Sequence, residues 1–109
     1  MRLLEPLALG SRRAPNRVMF GPHVTNLGTV DRRFTPAHTA YYERRARGGC
    51  GIVVIEGASV HDSDWPYERA PLASLAEAGW AEIATAVHAH GSLAIAALDH
   101  AGGQGSSAY

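Results

Sequence analysis

The apolar positions of this chain are distributed in two different rhythms. Gly51-Ile52-Val53-Val54-Ile55-Glu56-Gly57 holds four consecutive β-branched residues with a glycine at each end. A strand with one wet face alternates apolar and polar residues, whereas an unbroken run is covered on both faces, as in parallel sheets packed under helices. The run predicts a buried strand over 52–56, with Glu56-Gly57 at its carboxyl end, where α/β proteins place their ligand chemistry. Leu93-Ala94-Ile95-Ala96-Ala97-Leu98 also lacks alternation and predicts another strand. Between them Trp80, Ile83, Ala84 and Val87 recur at i, i+3, i+4 and i+7. That is one apolar face of a helix running from Ser74 or Glu77 to His90, with Gly91 as its stop.

The first half reads by its turn residues. Residues 7–16 predict a hairpin turning at Gly10-Ser11 and ended by Pro15, and Arg17–Phe20 a short strand closed by Gly21-Pro22. A loop from His23 to Phe34 follows. Thr35-Pro36 then gives an N-cap and a first-turn proline for a helix over 36–47. Arg44, Arg45 and Arg47 suit its C-terminal dipole, and Gly48-Gly49 ends it. A loop is expected from the end of the central strand to Pro71, and a Gly/Ser-rich tail from Asp99 to Tyr109.

The order is hairpin, β, α, β, α, β. Right-handed crossovers place three parallel strands side by side with both helices on one face. The outer strands are then unpaired and the opposite face is bare. A closed barrel of this class takes about 250 residues. The 109 residues therefore read as one incomplete domain, the opening part of a (β/α)8 barrel cut after its third strand.

Composition narrows the partners. Ten basic residues balance ten acidic ones, which argues against nucleic acid or an anionic membrane surface. No apolar run approaches the roughly 20 residues of a membrane-spanning helix, and the N-terminus has no apolar core of a secretory signal. Cys50 is the lone cysteine, as expected in a reducing cytoplasm, and its place at the entry to the buried strand suits a packed, inert thiol.

Three segments in order carry a resemblance: Pro15-Asn16-Arg17-Val18-Met19-Phe20-Gly21-Pro22 with Thr25-Asn26; Tyr41-Tyr42-Glu43-Arg44-Arg45-Ala46-Arg47-Gly48-Gly49 running into the buried strand; and Ala86–Gly91 followed by Leu98-Asp99-His100-Ala101-Gly102 with Gln104. Together they resemble the N-terminal part of the NADH:flavin oxidoreductase (old yellow enzyme) family, closest to its 2,4-dienoyl-CoA reductase-like branch. The resemblance implies a TIM barrel holding FMN at the carboxyl ends of its strands. NAD(P)H would be the reductant and a small-molecule enone or enoyl compound the substrate. It implies flavin contacts at Pro22, His23, Val24 and Thr25, at Gly57 and Ala58, and at Ala97. The family usually has methionine or leucine at position 23, glutamine at 97 and arginine at 103, where this chain has His23, Ala97 and Gly103. It also implies that the substrate-binding histidine pair, the proton-donating tyrosine, the phosphate loops and any 4Fe-4S cysteines follow the third strand. The chain is thus expected to form one wall of a flavin site, inactive until the remainder of the barrel joins it. A non-catalytic reading stands beside this one: a degenerate barrel remnant whose open edges serve as an interaction or assembly module.

Single residues carry two readings each. Glu56 is an acid/base group or, more commonly for such a position, a strand-end carboxylate accepting backbone or arginine hydrogen bonds. His100 faces the substrate or only holds its loop. His23 is open between site and scaffold. His88 and His90 lie two apart on a helix and share no face, which argues against a metal pair. The arginine cluster reads as a solvated helix end, and Trp65 and Tyr67 as a pocket rim or loop anchors.

Overall fold

A computed structural model describes residues 2–105. A 3-10 turn at Arg2–Leu4 precedes an antiparallel hairpin of β1 (Leu7–Leu9) and β2 (Arg12–Ala14), which turns through Gly10 at φ 60°. Then come β3 (Met19–Phe20), α1 (Pro36–Arg47), β4 (Ile52–Val54), β5 (Ala58–Ser59), α2 (Glu77–His88), β6 (Leu93–Ile95) and β7 (Leu98–Asp99). The main sheet has the order β3-β4-β6, all parallel, and β5 pairs with β7, also parallel.

The central strand is buried throughout, as its unbroken apolar run requires. Its alternate side chains serve two cores. Val53 and Ile55 meet Tyr42 and Ala46 of α1 and Ile83 and Val87 of α2. Ile52 and Val54 meet Ala14, with Leu7 and Leu93 alongside. Each fully buried aliphatic of the first core contributes roughly 1.5–3 kcal/mol of hydrophobic stabilisation. The second core corrects one expectation: the sheet face opposite the helices is not bare, because the hairpin folds back beneath it.

Helix α1 ends as its glycines dictate. Gly49 takes φ 106°, its N–H donates to Ala46 O (3.0 Å), and Cys50 N–H donates to Arg45 O (3.2 Å). This is the paired 5→2 and 6→1 closure that a glycine beyond the cap permits. At the other end Thr35 occupies the N-cap position, but its hydroxyl donates to Leu27 O (3.0 Å), and the Thr35 N–H is taken by His38 Nδ1 (3.0 Å). Helix α2 stops two residues before the expected His90. The N–H groups of His90 and Gly91 reach back only three residues, to Val87 and His88, which tightens the last turn.

The third strand departs from its prediction. It is not continuous over 93–98 but breaks at Ala96-Ala97, and it is not buried, since Ile95 and Leu98 are 42% and 65% exposed. Leu-Ala-Ile-Ala-Ala-Leu is apolar enough for two covered faces, but among the described residues β6 has a strand neighbour on one side only. The loop expected after the central strand contains a missed strand, β5. Val54 faces Ile95 and Ala58 faces Leu98, so three residues intervene on one strand and two on the other. One surplus residue on one strand of a pair is a β-bulge, which re-aims the side chains around it. The expected tail at 99–109 begins instead with the last residue of β7 and a 3-10 turn at Gly102–Gln104; residues 106–109 lie outside those described. Among the described residues, no helix is long and apolar enough to cross a membrane.

Candidate functional site

The carboxyl ends of the parallel strands converge on a cleft of about 340 Å³, lined by Pro22, His23, Val24, Glu56, Gly57, Tyr67, Ala97, Leu98 and Asp99. The position follows from topology. In a parallel sheet all strand tips point one way, so the loops after β3, β4 and β6 must meet there.

Glu56 is the centre of this end of the sheet. Strict alternation from Ile52 and Val54 would send its side chain toward the hairpin face. The surplus residue at 55–57 breaks that alternation, and the carboxylate instead meets α1, with His38 Nε2 at 2.6 Å from Oε1. Thr25 donates its hydroxyl to Oε1, Tyr67 donates its hydroxyl to Oε2, and the Thr25 N–H approaches Oε2 at 3.4 Å. The Glu56 N–H donates to Tyr42 Oη at 2.8 Å. His38 and Glu56 are both fully buried. Burial pushes the Glu56 carboxyl up, but the hydrogen bonds from His38, Thr25 and Tyr67 together outweigh it and hold the group below its ordinary value. Burial pushes the Tyr67 phenol up, as does its bond to Glu56, so it stays a neutral donor.

The rim has its own order. Tyr41 Oη lies 2.5 Å from His23 Nε2, and the Arg45 guanidinium stacks on the Tyr41 ring at 3.6 Å. Arg45 is therefore half-buried against aromatic rings rather than solvated, while Arg44 and Arg47 remain exposed. Arg32, buried, anchors the far loop by donating to the carbonyls of Ala70 (2.7 Å), Asp62 (3.1 Å) and Asp64 (2.7 Å). Its guanidinium also lies over Trp65, at 4.2 Å from the ring centroid.

Of the residues singled out from sequence, Pro22, His23, Val24, Gly57 and Ala97 come together as the cleft wall. Thr25 does not line it but turns inward to Glu56. Ala58 is fully buried and its N–H donates to Ala97 O at 2.9 Å, so it braces the wall from behind. His100 is exposed and away from the lining, with Nδ1 accepting the Gly102 N–H at 2.9 Å. The Glu56 carboxylate does take a backbone donor, but its other partners are histidine, threonine and tyrosine rather than arginine. His38 went unmarked in the sequence. Its signal was there: the residue three after the N-cap is where a capping side chain reaches back, usually glutamate or glutamine. Among the described residues, no group of three or more histidine, cysteine or acidic side chains is placed to hold a metal.

The chain is 34% identical over 95 residues to an NADH oxidase from Thermoanaerobacter brockii, an alignment covering 82% of this chain and 14% of that protein. It superposes on a 2-naphthoyl-CoA reductase bound to 2-naphthoyl-CoA with a TM-score of 0.87 at 27% identity, covering 96% of this chain and 16% of that one. Morphinone reductase in complex with tetrahydroNAD gives a TM-score of 0.81 at 30% identity, covering 94% and 28%. The chain thus spans a small part of the length of these relatives, and its three parallel strands and two helices are a partial TIM barrel. The family model for the NADH:flavin oxidoreductase / NADH oxidase family matches residues 2–109, and the chain belongs to that family.

Proposed function

We propose that this chain forms one wall of an FMN site in an NAD(P)H-dependent oxidoreductase of the 2,4-dienoyl-CoA reductase-like branch, acting on activated C=C bonds. The observation that carries it is the convergence of Pro22, His23, Val24, Gly57 and Ala97 on one cleft at the strand tips. The residues suit a flat, partly polar ring. Pro22, Val24, Ala97 and Leu98 offer an apolar surface, and the backbone from Pro22 to Val24 runs outside any strand or helix, so its carbonyls and the N–H groups of His23 and Val24 are not committed to a ladder.

Bound FMN would supply hydride acceptance from the nicotinamide and hydride donation to an electron-poor alkene. This chain's residues position and enclose. The backbone of Pro22–Val24 and Gly57 would contact the ring edge, and Ala58 would fix Gly57 through its bond to Ala97. Ala97 itself would lend only a methyl contact in place of the amide its family usually offers. Thr25 would act through Glu56 rather than on the ring. The phosphate loops, the substrate-binding pair and any 4Fe-4S cluster would come from the remainder of the barrel. The naphthoyl-CoA ligand of the structural relative supports an enoyl- or aryl-CoA thioester as substrate class.

The test is the full-length protein, purified and scanned for visible absorbance. One FMN per chain is expected, bleached anaerobically by NADH or NADPH and recoloured by an enone or enoyl-CoA. A full-length protein that neither carries nor takes up flavin overturns the reading, and favours the assembly module.

A further inference from the structure

The cleft wall holds two carboxylates, Glu56 and Asp99, and no lysine or arginine among the described residues that line it. Glu56 is the buried one, and its side-chain partners are His38, Thr25 and Tyr67. The Thr35 N–H donates to His38 Nδ1, which leaves the ring proton on Nε2, directed at Glu56. Thr25 and Tyr67 contribute hydroxyl protons, and Thr25 its backbone N–H as well, all from uncharged groups. Arg32, whose field reaches Tyr67, is bound to three carbonyls and faces Asp62 and Asp64. Asp99 abuts Gly57 so closely that a Cβ added there would lie 2.9 Å from the aspartate's own Cβ.

We propose that Glu56, seconded by Asp99, is an electrostatic positioning residue of this cleft: its buried charge opposes added negative charge on a redox ring held against the wall, and so lowers that ring's reduction potential. The inference rests on the FMN reading above. Transfer of hydride, two electrons and one proton, from the dihydronicotinamide leaves a pyridinium cation and converts a neutral oxidised flavin ring into a reduced ring of charge −1. A fixed negative charge at a water-poor strand end disfavours that product and favours passing the hydride onward. The same wall suits the transient pyridinium. Exposed Asp99 adds a smaller, salt-screened share.

The experiment measures the flavin midpoint potential of the full-length protein against a reference dye, for wild type, Glu56→Gln and Asp99→Asn. Glutamine preserves the shape of the hub, and the Tyr67 hydroxyl is free to turn and accept from the new amide. Glu56→Gln is expected to raise the midpoint by at least the equivalent of a tenfold change in the two-electron equilibrium, about 30 mV. Asp99→Asn raises it less, and the difference shrinks in high salt. Stoichiometric flavin with an unchanged or lowered midpoint in Glu56→Gln overturns the proposal while leaving the FMN site standing. If Glu56→Gln does not fold, Asp99→Asn decides: a rise supports the proposal and no change overturns it. Wild-type protein without flavin fails the FMN reading and takes this proposal with it.

Discussion

His38 Nε2 lies 2.6 Å from Glu56 Oε1, both side chains are fully buried, and the two residues sit on different layers of the fold. The bond ties the first turn of α1 to the end of the central strand. Replacing His38 with alanine removes a donor from a buried carboxylate and opens a gap beside Phe34, whose ring centroid is 4.8 Å from that of His38. A hydrogen bond to a charged group contributes about 1.5–3 kcal/mol. Urea denaturation should show a loss of at least that size, and His38→Gln should recover part of it. An unchanged midpoint would mean the bond contributes nothing.

The same carboxylate sets an acid limit. Its folded value lies below the ordinary 4.5, so the unfolded chain binds its proton first as pH falls. The stabilisation is therefore complete above about pH 4.5 and is lost as pH drops through the folded value. Denaturation midpoints followed from about pH 6 to about pH 3 should decline for wild type, and Glu56→Gln should flatten that decline. Parallel curves would assign the acid sensitivity to other groups.

Gly79 lies in the first turn of α2, where alanine normally gains about 1 kcal/mol over glycine. Here the added Cβ would stand 2.4 Å from Phe34 Cβ, an atom fixed to the backbone. Overpacking of this kind costs about 1–3 kcal/mol, so the clash outweighs the propensity. Gly79→Ala should lower the melting temperature; a rise would show that Phe34 moves aside freely.

Arg32 adopts φ 68°, in the left-handed region, and holds three carbonyls of the 62–70 segment with its guanidinium. Lysine cannot reproduce that planar fork. Arg32→Lys should loosen the loop between β5 and α2, seen as faster hydrogen exchange over residues 60–72 with the central strand unaffected. Exchange rising equally in both would mean global destabilisation instead.

The sequence was most legible where one requirement dominated. Ile52–Ile55 must be covered on both faces, and Gly48-Gly49 must end a helix, and both occur. The heptad-like spacing of Ile83 and Val87 likewise names the face of α2 that packs. Legibility failed where tertiary neighbours decide. Leu93–Leu98 has the composition of a buried strand, but burial depends on a neighbour on each side. Glu56 looked like an isolated strand-end acid because its partners lie at positions 25, 38 and 67, and no local pattern links them. The bulge that turns Glu56 is a property of two strands compared, invisible in either alone.

That bulge has a consequence for shape. Where one of two neighbouring paths is a step longer than the other over the same interval, the ribbon they make must curve toward the shorter path. The extra residue beside Ala96-Ala97 thus builds a local bend and added twist into the strand that carries the buried acid.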